Sequence, residues 1–327
     1  MKRIGLYFVG DYSCEEMVLY SKLAEQNGYE SVWVAEDLSF RDGVVPLSAI
    51  AVATKKIKLA TGIIPVYYRS PALAAMTAAT LDELSSQRLI LGVGSGVREY
   101  VERQGLEFKK PLAAVKEYVE IVRLLSTGRS VSYSGKVHQL KDTRLAFKPP
   151  RARVPIYVAA RGPRMFQLAG EIADGALGCD GFCEQGYVKW ALDNVRIGAE
   201  KAHRRPEDID LGFLVLVSVS ENSNEAKERV KPAVVSLFAQ GVFDPHLKTM
   251  GLSESDVASV RESLRSGDLT TAYRNVPAAL LEASAIYGTP DECARKMSKF
   301  REAGVDLPII EPIGPDKELI IQVAKDW

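Results

Sequence analysis

The chain has 327 residues, with 42 basic and 42 acidic side chains and therefore no formal net charge. Hydrophobic residues make up 46% and charged residues 26%, a composition typical of a folded globular protein and not of a disordered one. The balanced charge argues against a protein that binds nucleic acid through a general basic surface. No apolar run reaches the roughly 18 residues that a bilayer-spanning helix needs.

The N-terminal segment and the cysteines favour a cytoplasmic protein. The first apolar segment, residues 4–9, stops at Gly10-Asp11, so we interpret it as a first strand and not as a signal peptide. Cys179 and Cys183 lack the second pair or the nearby histidine of a zinc site. With only two more cysteines, Cys14 and Cys293, the chain is also short of a disulfide framework. We expect mostly free thiols and no metal.

The first 160 residues alternate regularly between strand and helix signals. Apolar strands are predicted at residues 4–9, 31–35, 57–63, 88–93 and 154–159. Helices are predicted between them at residues 15–26, 46–54, 71–84 and 111–125. Ser70 before Pro71 is the preferred N-cap and first helical residue. Residues 131–140 predict a hairpin with Ser134-Gly135 at its turn.

The alternation continues to strand seven and is then interrupted. A helix over residues 163–172, a weak strand over 175–178, a helix over 184–203 and a strand over 211–220 are predicted in turn. Residues 225–287 show only helical segments and turns, which predicts a helical insertion at about residues 223–290. Helices at residues 289–304 and 315–325 then flank an eighth strand at residues 306–313.

Eight short apolar strands, each followed by a helix, indicate parallel strands buried on both faces. A doubly wound sheet is the alternative, but it would more often carry a phosphate-binding fingerprint after its first strand. Residues 10–13, Gly-Asp-Tyr-Ser, contain no such fingerprint. We therefore predict an α/β protein in which residues 1–327 form one (β/α)₈ barrel, with the helical insertion after strand seven.

The active site of such a barrel lies at the carboxyl ends of its strands. Glu36 and Asp37 follow the second strand and are candidates for a general acid, or for an anchor of a ligand's hydroxyl or ring nitrogen. The alternative for this pair is a salt bridge that faces solvent. The three histidines, His138, His203 and His246, end no strand and are predicted to lie on the surface. No hydrolase, P-loop or paired-histidine metal motif is present.

Two further strand ends suit an anionic ligand. Gly94-Ser95-Gly96 is a loop of small residues, which lets a ligand approach the backbone closely. Residues 161–164, Arg-Gly-Pro-Arg, combine the amides of a helix N-terminus with two guanidinium groups. Each pattern alone is more typical of a tight turn or a solvated helix start. Because the two patterns follow neighbouring strands, a phosphorylated ligand stays open beside these simpler explanations.

Several blocks of sequence resemble a known family. Residues 57–63, 70–74, 80–85 and 88–96 are similar to the bacterial-luciferase-like superfamily. Within it, residues 105–112, 155–165, 251–254 and 312–317 resemble the methylenetetrahydromethanopterin reductases, which use the deazaflavin coenzyme F420. The resemblance spans almost the whole chain. It implies a TIM barrel with the coenzyme over the strand ends, and a homodimer or larger homo-oligomer.

The resemblance also implies a set of coenzyme-binding residues and a reaction. A non-prolyl cis peptide at Gly62–Ile63 would support the deazaflavin ring, and two later loops would hold the ring and the phosphate-bearing tail. The implied coenzyme-binding residues are Thr61, Gly62, Ile63, Gly94, Gly96, Val97, Ala159, Ala160, Arg161, Gly162, Pro163 and Arg164. The implied reaction is hydride transfer between F420 and the methylene carbon of a pterin.

The chain departs from the reductase pattern at three positions. Tyr7 stands where the resemblance implies Glu, Val97 stands where it implies an acid, and Glu36-Asp37 replaces Asp-His. Either Glu36 carries the acid role alone, or the substrate differs. Two other functions stay open, namely an FMN-dependent monooxygenase of the same barrel and a non-catalytic barrel that carries a flavin-like ligand.

Overall fold

The structure is a computed structural model that describes residues 3–37, 41–179, 181–248 and 250–327. Within these ranges the strands are β1 (Gly5–Phe8), β2 (Ser31–Val34), β3 (Lys58–Thr61), β4 (Ile64–Pro65), β5 (Leu89–Gly94), β6 (Val131–Ser134), β7 (Gln139–Thr143), β8 (Ile156–Ala160), β9 (Gly175–Gly178), β10 (Asp210–Val219), β11 (Ala285–Gly288) and β12 (Leu307–Pro312). The helices are α1 (Cys14–Gln26), α2 (Val44–Ala53), α3 (Pro71–Leu84), α4 (Arg98–Arg103), α5 (Pro111–Ser126), α6 (Pro163–Ile172), α7 (Gln185–Lys201), α8 (Ser223–Ala239), α9 (Glu254–Ser266), α10 (Leu269–Asn275), α11 (Ala278–Ser284), α12 (Pro290–Glu302) and α13 (Lys317–Ala324).

Eight parallel strands close into a barrel. In the order β1, β2, β3, β5, β8, β9, β10 and β12, each strand pairs with the next, and β12 pairs back with β1. Helices follow these strands along the chain and cover the outside. The predicted (β/α)₈ barrel with helices inserted after strand seven is confirmed.

Alternating side chains fill the inside of the barrel. Trp33 and Tyr157 meet there with ring centroids 5.4 Å apart, and Tyr7, Leu214 and Ile309 belong to the same buried cluster. Successive strand residues point to opposite faces, so every second residue joins this cluster and the others pack beneath the helices. The interior is therefore a packed core, which leaves room for a site only above the strand ends.

The prediction that residues 225–287 form only helices and turns is wrong at β11. This strand, Ala-Ile-Tyr-Gly, lies parallel to residues 216–219 of β10. β10 is long because residues 210–213 pair with β9 and the later residues pair with β11 on the same side. The strand follows α11 directly, so no turn residue in the sequence separates it from the helix, and pairing with the extended end of β10 decides its conformation.

The predicted hairpin is present, but its turn is longer than expected. β6 and β7 pair antiparallel, and residues 135–138 connect them. The N–H of Gly135 donates to the carbonyl of His138 at 2.9 Å. The prediction placed the turn at Ser134-Gly135 because that dipeptide is a strong local turn signal, whereas pairing of Ser134 with Gln139 places the connection at residues 135–138.

All four cysteines are free thiols, in agreement with the expectation from the sequence. Among the described residues, no helix is both long enough and apolar enough to cross a membrane.

Candidate functional site

The carboxyl ends of the barrel strands open into a cavity of about 420 Å³. The predicted site residues that line it are Glu36, Asp37, Gly62, Ile63, Gly96, Val97, Ala159, Ala160, Arg161 and Gly162. The cavity thus brings together predicted residues from four different strand ends, β2, β3, β5 and β8, as expected for an active site at the carboxyl ends of barrel strands. Thr61, Gly94, Pro163 and Arg164 do not belong to its lining.

The segment after β3 forms the floor of the cavity. The Gly62–Ile63 peptide bond is cis, as the resemblance implied. The hydroxyl of Tyr7 donates to the carbonyl of Gly62 at 2.9 Å, and a Cβ at Gly62 would lie 3.0 Å from the Tyr7 ring. Tyr7 therefore supports the floor from below, and glycine is the residue that fits above it.

Gly96 lets a second loop turn beside this floor. Its φ of +68° lies in the left-handed region that favours glycine, and a Cβ there would lie 3.0 Å from the Pro65 side chain. Gly94 is packed between strands, since its Cβ would lie 3.1 Å from the Cβ of Ala159. Gly94 therefore keeps β5 and β8 close together, while Gly96 faces the cavity.

Thr61 braces two strands of the barrel. Its hydroxyl donates to the carbonyl of Gly92 at 2.7 Å and accepts from the N–H of Gly92 at 2.8 Å. These two bonds direct the Thr61 side chain toward β5. In this structure Thr61 holds the floor segment in place from a buried position.

Glu36 is a buried carboxylate with one satisfied and one unsatisfied oxygen. Arg69 Nε donates to Glu36 Oε1 at 2.8 Å, and the Glu36 side chain is only 12% exposed. Glu36 Oε2 is buried and has no hydrogen-bond partner among the described residues. Burial raises the pKa of Glu36 above its ordinary value, although the hydrogen bond and the charge of Arg69 oppose this. The ion pair exists, but it faces the cavity and not bulk solvent.

Asp37 provides a second carboxylate at the same strand end. It accepts a hydrogen bond from the hydroxyl of Tyr68 at 3.2 Å. Arg69 also pairs with Asp42, with 2.6 Å between Nη2 and Oδ2. The two acids that the sequence singled out therefore lie in a polar network on one wall of the cavity, where ligand donors could reach them.

The opposite wall carries the features suited to an anion. Gly162 is the N-cap of α6 and makes no side-chain capping bond. Arg161 and Gly162 line both the main cavity and a neighbouring cavity of about 520 Å³, which Pro163 also lines. A helix N-terminus beside a guanidinium group is a suitable site for a phosphate. Arg164 is exposed outside both cavities, so its binding role stays a prediction.

Two of the three histidines are partly buried, so their predicted surface location is wrong. His246 lies in the neighbouring cavity, with its ring centroid 4.9 Å from that of Tyr187 and 5.2 Å from that of Phe182. Burial lowers the pKa of His246, and the charge of Arg161 lowers it further. His138 packs against the Tyr118 ring. Aromatic partners distant in sequence cover both residues, and no local pattern reveals such partners.

Several lining residues were not predicted. They are Tyr7, Tyr100, Met165, Cys179, Ser236, Gln240 and Glu311, with further apolar neighbours. Ser236 and Gln240 come from α8 and the residue after it, so the helical insertion closes one side of the cavity. Glu311 had a visible signal, because it is the acid within the otherwise apolar eighth strand. The others depend on tertiary packing.

Comparison with known proteins gives consistent results over the whole chain. A family model described as luciferase-like monooxygenase matches residues 9–307. The 5,10-methylenetetrahydromethanopterin reductase of Archaeoglobus fulgidus is 34% identical over 98% of this chain and 97% of its own length. The F420-dependent glucose-6-phosphate dehydrogenase of Amycolatopsis mediterranei is 29% identical over 95% of this chain and 92% of its own length. The structure of the coenzyme F420 dependent tetrahydromethanopterin reductase from Methanopyrus kandleri superimposes with a TM-score of 0.91 at 29% identity, covering 98% of this chain and 96% of the other.

Proposed function

The chain belongs to the luciferase-like monooxygenase family, and from this premise we propose that it is a coenzyme F420-dependent oxidoreductase. The reaction is hydride transfer between the reduced deazaflavin and the methylene carbon of a pterin, or a similar electrophilic carbon. The identity to a 5,10-methylenetetrahydromethanopterin reductase over nearly the full length supports this substrate class. FMN is the alternative coenzyme.

The observation that carries the proposal is Glu36 Oε2 on the wall of the cavity, which has no hydrogen-bond partner within the part of the chain that the structure describes. A buried polar atom without a partner costs free energy, typically about 1–3 kcal/mol. A ligand N–H or O–H placed in the cavity would remove this cost. The cavity is thus built to receive a ligand with a hydrogen-bond donor, and a flavin-like ring carries such donors.

The residues present fit the coenzyme on both sides of the cavity. The floor at Gly62 and Ile63 and the loop at Gly96 and Val97 leave backbone exposed beneath a planar ring. On the far wall, the N-terminus of α6 and the Arg161 guanidinium would hold a phosphate. When bound, F420 supplies a ring carbon that gives or accepts the hydride.

The chain itself supplies positioning, exclusion of water and acid groups. Apolar side chains of β10 and α8 cover the cavity, which keeps water away from the hydride. Glu36 and Asp37 can accept hydrogen bonds from the ligand or hold a proton beside it. Tyr7 donates its hydroxyl to the floor, and Val97 carries no acid, so neither takes a proton-transfer role.

A competitive titration tests the coenzyme assignment. The purified chain is titrated with F420 and with FMN, and binding is followed by the fluorescence of each ligand. We expect F420 to bind and to displace FMN. Tight binding of FMN with no binding of F420 would contradict the proposal, and oxygen consumption with reduced FMN would then identify a monooxygenase.

We also infer a cytoplasmic, homo-oligomeric protein whose residues 1–327 form one domain. Support for one domain comes from α8, which packs on β10 and β11 and contributes residues to the barrel cavity. Support for an oligomer comes from exposed apolar side chains on neighbouring helices. Val45 and Val52 stand seven residues apart on α2, and Met76 is exposed on α3, which packs against α2.

A further inference from the structure

A further cavity, of about 440 Å³, lies beside helices α8 and α12. Its lining shares no residue with the cavity above the strand ends. Four of its nine lining residues carry a positive charge and two carry a negative charge. The whole chain has no net charge, so this α8–α12 cavity is a local concentration of positive charge. Because it is separate from the coenzyme site proposed above, its charges need an explanation of their own.

The two carboxylates of the α8–α12 cavity are already bound by the chain itself. Glu282 accepts a hydrogen bond from the hydroxyl of Tyr287, and its Oε2 lies 3.0 Å from Nζ of Lys296. Lys296 also lies over the Tyr287 ring, 4.0 Å from the ring centroid. Glu292 accepts a hydrogen bond from the hydroxyl of Ser223, which joins α12 to α8. Of the four cations, Lys296 is therefore the one that a carboxylate of the cavity neutralises.

The other three cations have no such partner. Lys227, Arg295 and Lys299 make no ion pair and no side-chain hydrogen bond within the part of the chain that the structure describes. Arg295 and Lys299 are four residues apart on α12, so they lie on the same face of the helix. Like charges in this arrangement destabilise a helix. An anion bound between α8 and α12 would replace this repulsion by attraction.

The first turn of α8 adds to the positive potential. Ser223 and Asn224 are the first two residues of this 17-residue helix, and both line the cavity. The N-terminus of a helix carries a partial positive charge, which favours an anion. A helix N-terminus is not specific by itself, but this one coincides with three cations, from two helices, that lack ion-pair partners among the described residues.

The α8–α12 cavity offers little apolar surface. Within the described ranges, Tyr287 is the one aromatic residue of the lining. It is only 6% exposed, and Lys296 lies over its ring. A nucleobase or another flat apolar group therefore has no surface on which to stack. The ligand that fits is compact, highly charged and polar throughout.

We propose that the α8–α12 cavity is an anion-binding site for a compact ligand of the diphosphate class. Most of its cations are lysines, and an ammonium group attracts phosphate oxygens as a point charge from any direction. Two linked phosphates present enough charged oxygens to meet Lys227, Arg295 and Lys299 together. The site goes beyond the proposed function, because it uses none of the residues that line the coenzyme cavity.

The test is a calorimetric titration of the full chain with inorganic pyrophosphate at constant ionic strength. We expect saturable binding by the wild-type chain. Lys227→Gln combined with Lys299→Gln removes two of the three cations and should weaken binding about tenfold or more. Lys22→Gln combined with Lys325→Gln is the matched control, because it removes the same charge at exposed positions on α1 and after α13. The control should leave the affinity unchanged.

A charge-preserving variant and a second anion sharpen this test. Lys299→Arg keeps the cation and should retain binding, and thermal melting followed by circular dichroism shows that each variant is folded. Absence of saturable binding by the wild-type chain overturns the inference, as does an affinity of the Lys227/Lys299 double variant equal to that of the control. Citrate that binds as tightly as pyrophosphate overturns the assignment to diphosphate. Since F420 is absent from the titration, failure of the proposed function would leave these results unchanged.

Discussion

The ion pair between Glu36 and Arg69 influences the protonation of the carboxyl group on the cavity wall. Burial favours the protonated acid and raises its pKa, while Arg69 favours the carboxylate. Arg69 is itself held by Asp42. Among the described residues, Glu36 Oε2 has no hydrogen-bond partner. When the carboxyl group is ionised, this oxygen can accept a hydrogen bond from a ligand.

The first prediction concerns the pH dependence that this ion pair controls. If the ionised Glu36 binds the ligand, kcat/KM falls as the pH falls through the pKa of Glu36. Arg69→Ala removes the group that lowers this pKa, so the acidic limb of the pH profile moves to higher pH. Arg69→Lys keeps a cation and should move the limb less. An unchanged acidic limb in Arg69→Ala would contradict this role of Glu36.

A second prediction tests the hydrogen bond that Glu36 offers. Glu36→Gln keeps the shape of the side chain but removes the charge. Hydrogen bonds to charged groups are worth about 1.5–3 kcal/mol. We expect kcat/KM to fall about 10- to 100-fold, since 1.4 kcal/mol corresponds to about tenfold. An unchanged kcat/KM in Glu36→Gln would show that Glu36 makes no such hydrogen bond to the ligand.

A third prediction separates the two arginines of the anion-binding wall. Arg161 lines both cavities, whereas Arg164 is exposed outside them. Arg161→Ala should weaken F420 binding by about 1.5–3 kcal/mol, measured by fluorescence titration. Arg164→Ala should weaken it less, since water screens an exposed charge. Equal and unchanged affinities in both variants would show that neither arginine binds the coenzyme.

At the level of single residues, the sequence was sufficient to predict cavity residues that come directly after a strand. Glu36 and Gly96 were located because each follows a predicted strand, whereas Gly62 was implied by the family resemblance, and all three line the cavity. The role of Thr61 could not be foreseen, because its hydroxyl bonds to Gly92, 31 residues away. Gln240 could not be predicted as a cavity residue for the same reason, since only the packing of α8 over the barrel brings it to the cavity.

At the level of elements, Glu117 ties the hairpin turn to the barrel. From α5 it accepts hydrogen bonds from the N–H groups of Lys136, Val137 and His138, at 2.6, 2.9 and 2.9 Å. Burial would raise the pKa of Glu117, but these three donors outweigh it and lower the pKa. A Cβ at Gly135 would lie 2.3 Å from Glu117 Oε2, so the turn closes tightly around the carboxylate.

The fourth prediction follows from this contact. Glu117→Gln replaces an acceptor oxygen by an amide donor and should lower the free energy of unfolding by about 1–3 kcal/mol at neutral pH. Because the folded-state pKa is lowered, the carboxylate stabilises the fold above its ordinary pKa, and this stabilisation disappears as the pH falls through the lowered value. Urea unfolding of both chains measures the difference. Glu83→Gln, an exposed change on α3, is the control and should be neutral.

Helices and strands were predictable where the segment shows a clear hydrophobic periodicity or capping residues. The capping patterns at Ser70-Pro71 and at Thr289 are present with the expected bonds. The six-residue helix α4 and the four-residue strand β11 were missed. The helix α4 is shorter than two helical turns, and β11 follows α11 with no residue between them, so tertiary contacts and not periodicity reveal these two elements.

At the level of the whole molecule, the zero net charge has a consequence for binding. Without a general basic field, attraction of an anionic coenzyme must be local. We expect this attraction to come from Arg161 and the N-terminus of α6, since Arg161 and Gly162 line both cavities. Association of the coenzyme should accordingly depend only weakly on salt compared with a protein that carries a large basic surface.

The last variant prediction concerns assembly. Val52 is 64% exposed on α2, beside further apolar side chains of α2 and α3. If this surface joins two subunits, Val52→Glu should convert the oligomer to monomers, measured by light scattering after size-exclusion chromatography. Ile197→Glu introduces the same charge at another exposed apolar position, on α7, and should leave the mass unchanged. A wild-type chain that already runs as a monomer would contradict the oligomer.

The account as a whole depends on hydride transfer at the cavity above the strand ends. Its most direct test is an anaerobic assay in which the purified chain, reduced F420 and methylenetetrahydromethanopterin are mixed and the reoxidation of F420 is followed by absorbance. We predict turnover well above the uncatalysed rate, with none when reduced FMN replaces reduced F420. No reoxidation of F420, together with oxygen consumption by the chain and reduced FMN, would contradict the account.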